Sequence, residues 1–382
     1  MFDLQALIYS QFITYDRLTG MINESCRDSN ANVAHIYIDM QSLLKSIYSN
    51  IDKLTIGPYN GLTSCMINMA IHYKYFFLSR YNTTCKIYFV YSNNCPEYCK
   101  KWVPNYNARN IQVANHSAQH LEIINQNLRM MKTITPYIDN IYFIETQHET
   151  GLAIHHLIQM NMNEKEPHMN FIITKDQYNY QLINNPNTII LRPKRLTSNN
   201  NQPVQPGERD ISYYINSLNI WSVICLERKI EFNPSILIYP NLVTLVYAIS
   251  GIKQRGIAST IGIKKCLEII QNMIISGNIV NNSSYSRFAT DMIALIYLNS
   301  SKERMKNSSV QALQNTGTIM GINNNYKAID LSYQYELIRS NSNIYSDLDL
   351  FNSYLIDLYD PEGLKNINEQ YFKDCPIDLM KL

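Results

Sequence analysis

The chain has 382 residues and nearly balanced charge, with 33 Lys and Arg against 31 Asp and Glu. Its hydrophobic content of 46% is enough to bury a sizeable core, which argues against an intrinsically disordered protein. A formal net charge of +2 excludes a globally basic nucleic-acid-binding protein. Any surface that binds nucleic acid must therefore be a local patch.

Cysteine spacing and hydropathy bear on the compartment. Eight cysteines are scattered, and the nearest approach to a paired spacing, Cys95 to Cys99, has no second Cys or His pair to complete a zinc site. The sequence contains neither a basic start followed by an apolar run nor a stretch of about 20 apolar residues. We therefore expect reduced thiols and a soluble, cytoplasmic protein with no membrane partner.

The abundance of Asn, Ile and Tyr, with 29 Tyr, is typical of an AT-rich genome and suits a phage or other virus.

The first half of the chain alternates between strand and helix patterns. A helical lead-in over residues 1–32 precedes His35–Leu44, a strand that runs into a helix with Asp39 at the strand's carboxyl end. The next elements are a helix at Leu62–Tyr81, a strand at Lys86–Tyr91, a loop and helix over 95–135, a strand at Asn140–Glu145 and a helix from Glu149. This order predicts βαβ units and a parallel sheet with right-handed crossovers.

The second half begins with a buried strand from Phe171 to Asp176, a short helix, and a strand at Thr188–Arg195. A polar stretch rich in turn-forming residues follows at 197–210. Helical patterns then cover 240–250, 262–276 and 284–298, before an acidic and aromatic C-terminal region. We predict an α/β domain at 33–196 with a mostly parallel central sheet flanked by helices, a linker at 197–215, a helical region at 216–300 and a helical tail at 301–382.

Three carboxylates follow predicted strands: Asp39, Glu149 and Asp176. The carboxyl ends of parallel strands meet at one edge of a sheet, so these side chains are expected to converge. Oxygen ligands of this kind bind Mg²⁺ or Mn²⁺, and two such ions can assist phosphodiester hydrolysis. The alternative is that each carboxylate simply caps the helix that follows it.

Four segments of the chain, Phe171–Leu182, Tyr88–Ser92, Trp102–Arg109 and Ala248–Lys265, resemble motifs of the 5′–3′ exonuclease and flap endonuclease family of the PIN-like nucleases. Phe171–Leu182 resembles the family's fifth acidic motif, and Tyr88–Ser92 stands where the family has a strand ending in Phe-Asp-Gly. Trp102–Arg109 is similar to the segment that leads into the family's helical arch. Ala248–Lys265 resembles its helix-three-turn-helix element. Together these motifs cover roughly residues 33–275.

The resemblance implies a PIN-like α/β fold, a 5′ nuclease activity on branched or nicked duplex DNA, and a divalent metal ion held by the catalytic residues Asp39, Glu149 and Asp176. It also implies a helix-three-turn-helix element that grips duplex DNA, often together with a monovalent cation. The residues expected to contact DNA are Arg109, Arg192, Lys194, Arg195, Gly251, Lys253, Arg255, Gly256, Gly262, Lys264 and Lys265.

Several residues depart from the family pattern. Ser92 and Tyr178 stand where the family has Asp, and Gly151 and Leu152 replace a second acidic pair. The turn after Gly251 offers Lys and Arg but no carboxylate. The family's second metal site has therefore lost its ligands, and at most one Mg²⁺ or Mn²⁺ is expected. His155 and His156 could supplement a site, but imidazole is a poor ligand for Mg²⁺.

Three functions remain open. The first is a DNA-binding homologue of the nucleases with weak or lost catalysis, associated with viral replication. The second is an active nuclease that uses a single metal ion, and the third is a structural virion or assembly protein built on the same scaffold. The C-terminal tail, with its acidic and aromatic stretch Tyr345–Tyr359, is a candidate docking segment for viral replication or virion proteins.

Overall fold

A computed structural model describes the central part of the chain and segments of its C-terminal part. The described residues are 31–48, 58–92, 97–106, 118–162, 167–184, 187–192, 214–231, 241–275, 316–340, 360–373 and 377. Most of the predicted lead-in, the loop at 197–210, the helix at 284–298 and Tyr345–Tyr359 lie outside these residues. None of the described helices has the length and hydropathy needed to cross a bilayer.

A six-stranded sheet forms the centre of the described structure, in the spatial order β3-β2-β1-β4-β5-β6. The strands are β1 Val33–Asp39, β2 Thr84–Ser92, β3 Ile141–Thr146, β4 His168–Ile173, β5 Thr188–Leu191 and β6 Tyr214–Ile215. Strands β1 to β5 pair in parallel, and β6 pairs antiparallel with β5. The prediction of a mostly parallel sheet is confirmed, although β6 was not predicted because two residues carry no readable alternation.

The central strands are buried on both faces, as their continuous apolar sequences require. All seven residues of β1 are buried. On one face, Tyr37, Tyr88 and Tyr142 lie opposite one another on neighbouring strands, with ring centroids 5.1 and 5.2 Å apart. Stacked aromatic rings in register hold β1, β2 and β3 together.

Helices cover both faces of the sheet. They are α1 Met40–Tyr48, α2 Pro58–Tyr81, α3 Glu97–Lys100, α4 Ala118–Ile134, α5 Thr150–Asn161, α6 Ile220–Arg228, α7 Asn241–Ser250, α8 Ile263–Ile275, α9 Thr316–Ile329, α10 Leu331–Ser340 and α11 Pro361–Tyr371. Short 3-10 helices occur at Thr135–Tyr137, Gln177–Asn184 and Lys253–Arg255. One core contains residues of α1, α2, α4 and α11, and the other contains residues of α5 to α10.

Two helices of the predicted C-terminal tail, α9 and α10, belong to the second core rather than to a separate unit. Gln181 joins them to the 3-10 helix at Gln177–Asn184: its side chain donates to the carbonyl of Ile329 and accepts from the amide of Leu331, both at 2.9 Å. Because this amide side chain is buried, both of its ends need partners. Residues 316–340 are thus packed beside the carboxyl edge of the sheet.

Candidate functional site

The carboxyl edge of the sheet brings Asp39, Glu149 and Asp176 to one side of the molecule. Asp39 is the last residue of β1, Glu149 precedes α5, and Asp176 lies three residues beyond the end of β4. The strand predicted to run to Asp176 ends at Ile173, and the carboxylate is carried by the loop that follows. The topology therefore places all three groups where a parallel sheet usually carries its chemistry.

Helix capping accounts for only part of this arrangement. Asp39 Oδ1 accepts a hydrogen bond from the amide of Ser42 at 3.1 Å, and Asp176 Oδ1 accepts one from the amide of Tyr178 at 3.1 Å. Both bonds cap the start of the following helical turn. Glu149 occupies the N-cap position of α5, but its side chain makes no capping bond. Its carboxylate is directed to other partners.

Asp39 is buried in a polar network that satisfies its second oxygen. Oδ2 accepts hydrogen bonds from the hydroxyl of Thr174 at 2.7 Å and from the side-chain Nδ2 of Asn179 at 3.3 Å. Thr174 in turn accepts from the backbone amide of Asp176 at 3.0 Å. Hydrogen bonds from these donors stabilise the ionised carboxylate, and they tie the end of β1 to the loop after β4.

Arg255 lies between the other two carboxylates. Its Nη1 donates to Glu149 Oε1, and its Nη2 donates to Asp176 Oδ2 at 3.0 Å. The side chains of Arg255 and Glu149 are 5% and 4% exposed, and that of Asp176 is 16% exposed. These low exposures mean that water screens the ion pairs only weakly. The sequence predicts that Arg255 contacts DNA, whereas in this structure its guanidinium is buried and directed at the carboxylates.

Two tyrosines complete the surroundings of the guanidinium. The hydroxyl of Tyr106 donates to Glu149 Oε1 at 2.8 Å and accepts from Arg255 Nη1 at 3.1 Å. The ring of Tyr178 faces Arg255, with the guanidinium carbon 3.7 Å from the ring centroid. This is the geometry of a cation–π interaction. The side chain of Arg255 is thus held by two carboxylates, a hydroxyl and a ring face.

The electrostatics keep this group charged. Burial lowers the pKa of Arg255, but Glu149, Tyr106, Asp176 and Tyr178 together raise it well above its ordinary value. Burial, and then the charge of Glu149, raise the pKa of both Tyr106 and Tyr178 well above the usual range. Both phenols consequently stay protonated, and Tyr106 remains a hydrogen-bond donor.

A tight turn between α7 and α8 delivers Arg255 to the carboxylates. Gly251 and Gly256 adopt positive φ angles of 73° and 70°, and Ile252 and Ile257 form a β-bridge across the turn. A Cβ atom on Gly256 would lie 1.9 Å from the carbonyl oxygen of Asn105. Glycine is needed here both for the left-handed backbone and for the close approach to Asn105.

The arrangement does not fit a divalent metal ion. In the part of the chain that the structure describes, no group of three or more His, Cys, Asp or Glu side chains is arranged to hold one. Glu149 and Asp176 already have a cationic partner, and Asp39 is satisfied by hydrogen bonds. His155 and His156 lie against the ring of Tyr335 in α10.

A cleft opens beside Asp176, between the ends of the strands and the turn, with a volume of about 900 Å³. Four basic residues line it: Lys175, Arg192, Arg228 and Lys253. Lys253 is exposed. Arg192 is partly buried and pairs with Glu227, which is also partly buried. The sequence predicted two of these cations. It missed Lys175 and Arg228. The only sequence signal for Lys175 was its position next to Asp176, and the only one for Arg228 was its position at the end of an apolar helix.

The remaining predicted DNA contacts that lie in the described residues fall into two groups. Gly251 and Gly256 line the cleft, while Gly262, Lys264 and Lys265 are exposed at the start of α8. Lys265 lies 3.5 Å from the carboxylate of Glu268. Arg109, Lys194 and Arg195 lie outside the described residues.

Comparison with known proteins bears on the fold. No family model matches the chain, and no curated protein matches it. Among solved structures, the bacteriophage T5 5′-exonuclease with bound zinc is similar over 84% of this chain and 99% of its own length, with 11% identity and a TM-score of 0.53. A bacteriophage T5 flap endonuclease pseudo-enzyme in complex with product DNA and metal ions gives 12% identity and a TM-score of 0.52, over 83% and 97% of the two chains.

This chain has the fold of the 5′–3′ exonucleases and flap endonucleases. The sequence resemblance is thereby confirmed for the fold.

Within this flap endonuclease fold, the departures from the family pattern have defined surroundings. Ser92 is buried at the end of β2, and its carbonyl accepts from Gln41 at 2.9 Å. Leu152 belongs to the hydrophobic core, and Gly151 packs against Asn179, whose Oδ1 would lie 2.4 Å from an added Cβ. Tyr178 supports Arg255. Neutral groups and one buried cation thus occupy the positions at which the sequence resemblance predicts acidic residues.

Proposed function

We propose that this protein binds branched or nicked duplex DNA through the phosphate backbone and does not cleave it by metal-dependent hydrolysis. The observation that carries the proposal is the contrast at the carboxyl edge of the sheet. Glu149 and Asp176 share one buried cation, Arg255, while basic residues line the adjoining cleft. The basic cleft attracts phosphate, and the guanidinium already holds the carboxylate oxygens that a metal ion would need.

The cleft offers the contacts that a DNA backbone requires. Lys175, Arg228 and Lys253 supply positive charge, and the glycine turn exposes backbone groups beside them. Ser250 also lines the cleft. Hydroxyl, ammonium and guanidinium groups donate hydrogen bonds to phosphate oxygens, and contacts of this kind fix the position of a duplex without reading its sequence.

The start of α8 extends this surface. Gly262 is exposed, and Lys264 and Lys265 follow it in the first turn of the helix. Free amides at a helix N-terminus favour a phosphate, and the two lysines reinforce the attraction. Contacts from Arg109, Lys194 and Arg195, and a monovalent cation at the turn, stay predictions.

A metal-dependent 5′ nuclease is the second candidate, favoured by two buried oxygen atoms near the same carboxylates. Glu149 Oε2 and Asn179 Oδ1 have no hydrogen-bond partner among the described residues. Oxygen atoms of this type are ligands for Mg²⁺ or Mn²⁺. If Arg255 moved away, Asp39, Glu149 and Asp176 would be the residues to hold the ion, which would polarise a phosphodiester and lower the pKa of a bound water.

The test is DNA binding and cleavage by the full chain. Fluorescence anisotropy with a 5′-flap duplex, a nicked duplex, an intact duplex and single-stranded DNA would be measured in EDTA at 50 and 200 mM salt. If Lys175, Arg228, Lys253 and Lys264 each contact one phosphate, the affinity for the flap and nicked duplexes should fall by roughly two orders of magnitude over this range. Affinity for these two substrates should also exceed that for the intact duplex.

The same substrates with Mn²⁺ separate the alternatives. Retained binding with no cleavage supports the proposal. Cleavage that Asp176→Ala abolishes identifies the protein as a metal-dependent nuclease. Failure to bind any of the four substrates refutes DNA binding and leaves a structural or assembly role, with viral replication or virion proteins as partners.

A further inference from the structure

We propose that the Arg255 guanidinium occupies the place of a divalent cation, and that removing it creates a divalent-cation site formed by Glu149, Asp176 and Asn179. The inference depends on the geometry around Arg255 and not on the proposed DNA binding. Its test uses no DNA, so the two proposals can fail separately.

The first step is the charge balance. Glu149 and Asp176 both bond to one guanidinium, through different nitrogen atoms. Two buried carboxylates in such proximity repel each other unless a cation lies between them. Arginine is suited to this role because its guanidinium does not lose its proton in proteins, whereas a buried lysine can. Arg255 therefore supplies permanently the positive charge that a bound metal ion would supply reversibly.

The second step is the set of buried oxygen atoms at the two carboxylates and at Asn179, which lies beside Gly151 in the first turn of α5. Glu149 Oε1 and Asp176 Oδ2 are direct partners of the guanidinium. Glu149 Oε2 and Asn179 Oδ1 are buried and have no hydrogen-bond partner among the described residues. Truncation of Arg255 would leave space and two uncompensated negative charges among oxygen ligands. A hard divalent cation that keeps part of its water shell satisfies these conditions.

The third step concerns the residues that select the guanidinium. Tyr178 stands where the family pattern has an acidic residue, and its ring lies against the face of the Arg255 side chain. Tyr106 bridges Arg255 and Glu149. An aromatic face and a hydroxyl both suit a planar guanidinium, and an aromatic face offers no ligand to a metal ion. Tyr178 and Tyr106 therefore both favour the guanidinium at this place.

Arg255 also fixes the orientation of the turn between α7 and α8. Arg255 links the turn to Glu149 in front of α5, and Gly256 contacts the backbone of Asn105. The turn that carries Lys253 is thus joined to the α/β layer by the protein's own cation. Its position should be the same with and without divalent metal.

Mn²⁺ binding to wild type and to Arg255→Ala tests the inference, measured by electron paramagnetic resonance of free Mn²⁺ and by thermal unfolding. We expect Arg255→Ala to bind one Mn²⁺ per chain at least about tenfold more tightly than wild type, because one nearby positive charge has been removed. Mn²⁺ should also raise its Tm, while the Tm of wild type stays the same. Arg255→Lys is the matched control, which keeps a positive charge and should gain no site.

The double variant Arg255→Ala with Asp176→Asn locates the ion, because it should lose the Mn²⁺ that the single variant binds. If Arg255→Ala does not fold, Arg255→Gln is measured in the same way. Two results would overturn the inference. One is wild-type binding of a Mn²⁺ ion that Asp176→Asn removes, and the other is a folded Arg255→Ala or Arg255→Gln variant that gains no Mn²⁺.

Discussion

Lys253 and Arg255 are two residues apart on the same turn, yet they occupy opposite environments. Lys253 is exposed in the open cleft, whereas Arg255 is 4% exposed and lies between Glu149 and Asp176. A buried cation is tolerated only when carboxylates and hydrogen bonds compensate its lost hydration, and an exposed one needs no such partner. On this turn, Arg255 is therefore a buried counter-ion for the carboxylates, whereas Lys253 is available to contact a ligand.

The same distinction separates the carboxylates from the cleft. At the carboxylates, the hydrogen-bond donors and acceptors mostly satisfy one another. Arg255, Glu149 and Asp176 therefore hold the turn and the sheet together. The cleft, of about 900 Å³, differs because one of its basic residues, Lys253, is exposed to solvent. Buried ion pairs stabilise the fold, and an exposed cation is available to a ligand.

The largest expected effect is the loss of the internal cation. Arg255→Met should destabilise the protein by about 3–5 kcal/mol, because Glu149 and Asp176 would remain buried without their partner. Urea unfolding measures the change. Adding Glu149→Gln to this variant should recover part of the loss, since one stranded charge is removed. A change below about 1 kcal/mol would show that the buried ion pairs contribute no more than surface pairs.

His155 is a partly buried base that has no carboxylate beside it among the described residues, which contrasts with Arg255. Burial, and then the neighbouring His156, lower the pKa of His155 to about 4. This pKa lies below the value of about 6.5 in the unfolded chain. The contribution of His155 to the free energy of unfolding is therefore fully present above about pH 6.5 and is lost as the pH falls toward 4. The loss reaches about 3 kcal/mol. Unfolding of His155→Gln across this range should show a correspondingly smaller pH dependence, and an unchanged slope would contradict the assignment.

The turn that separates the two cations can be broken directly. Gly256→Ala should cost at least about 2 kcal/mol, because of the left-handed backbone and the clash with the carbonyl of Asn105. Gly321→Ala in α9 is the matched control. An added Cβ meets no atom within 4 Å there, and replacing a helical glycine should stabilise the protein by roughly 0.5–1 kcal/mol. Equal effects at the two positions would refute the requirement for glycine at 256.

The external cation should have the smallest effect on stability and a selective one on DNA binding. Lys253→Ala is expected to change stability by less than about 0.5 kcal/mol and to reduce the slope of log affinity against log salt by about 1. Lys365→Ala, exposed on α11, is the control that should leave DNA binding unchanged. A Lys253→Ala protein with the wild-type salt slope would place the DNA elsewhere.

Much of the fold could be predicted from local sequence. Continuous apolar runs identified β1, β2 and β4, and the alternation of strands with helices indicated a parallel sheet. The position of Asp39 at the end of its strand followed directly. Two parts were missed because their partners are remote in sequence: the two-residue strand β6, and the packing of α9 and α10 around Gln181.

The sequence by itself determined the parallel α/β fold and the convergence of Asp39, Glu149 and Asp176, because strand periodicity and chain order are local properties. Only the tertiary structure decided the role of Arg255. Its spacing among glycines and lysines suggested a DNA contact, but burial depends on Tyr106 and Glu149, which lie 149 and 106 residues away along the chain. The residue type gives the charge of a side chain, whereas the packing of segments distant in sequence determines which groups it contacts.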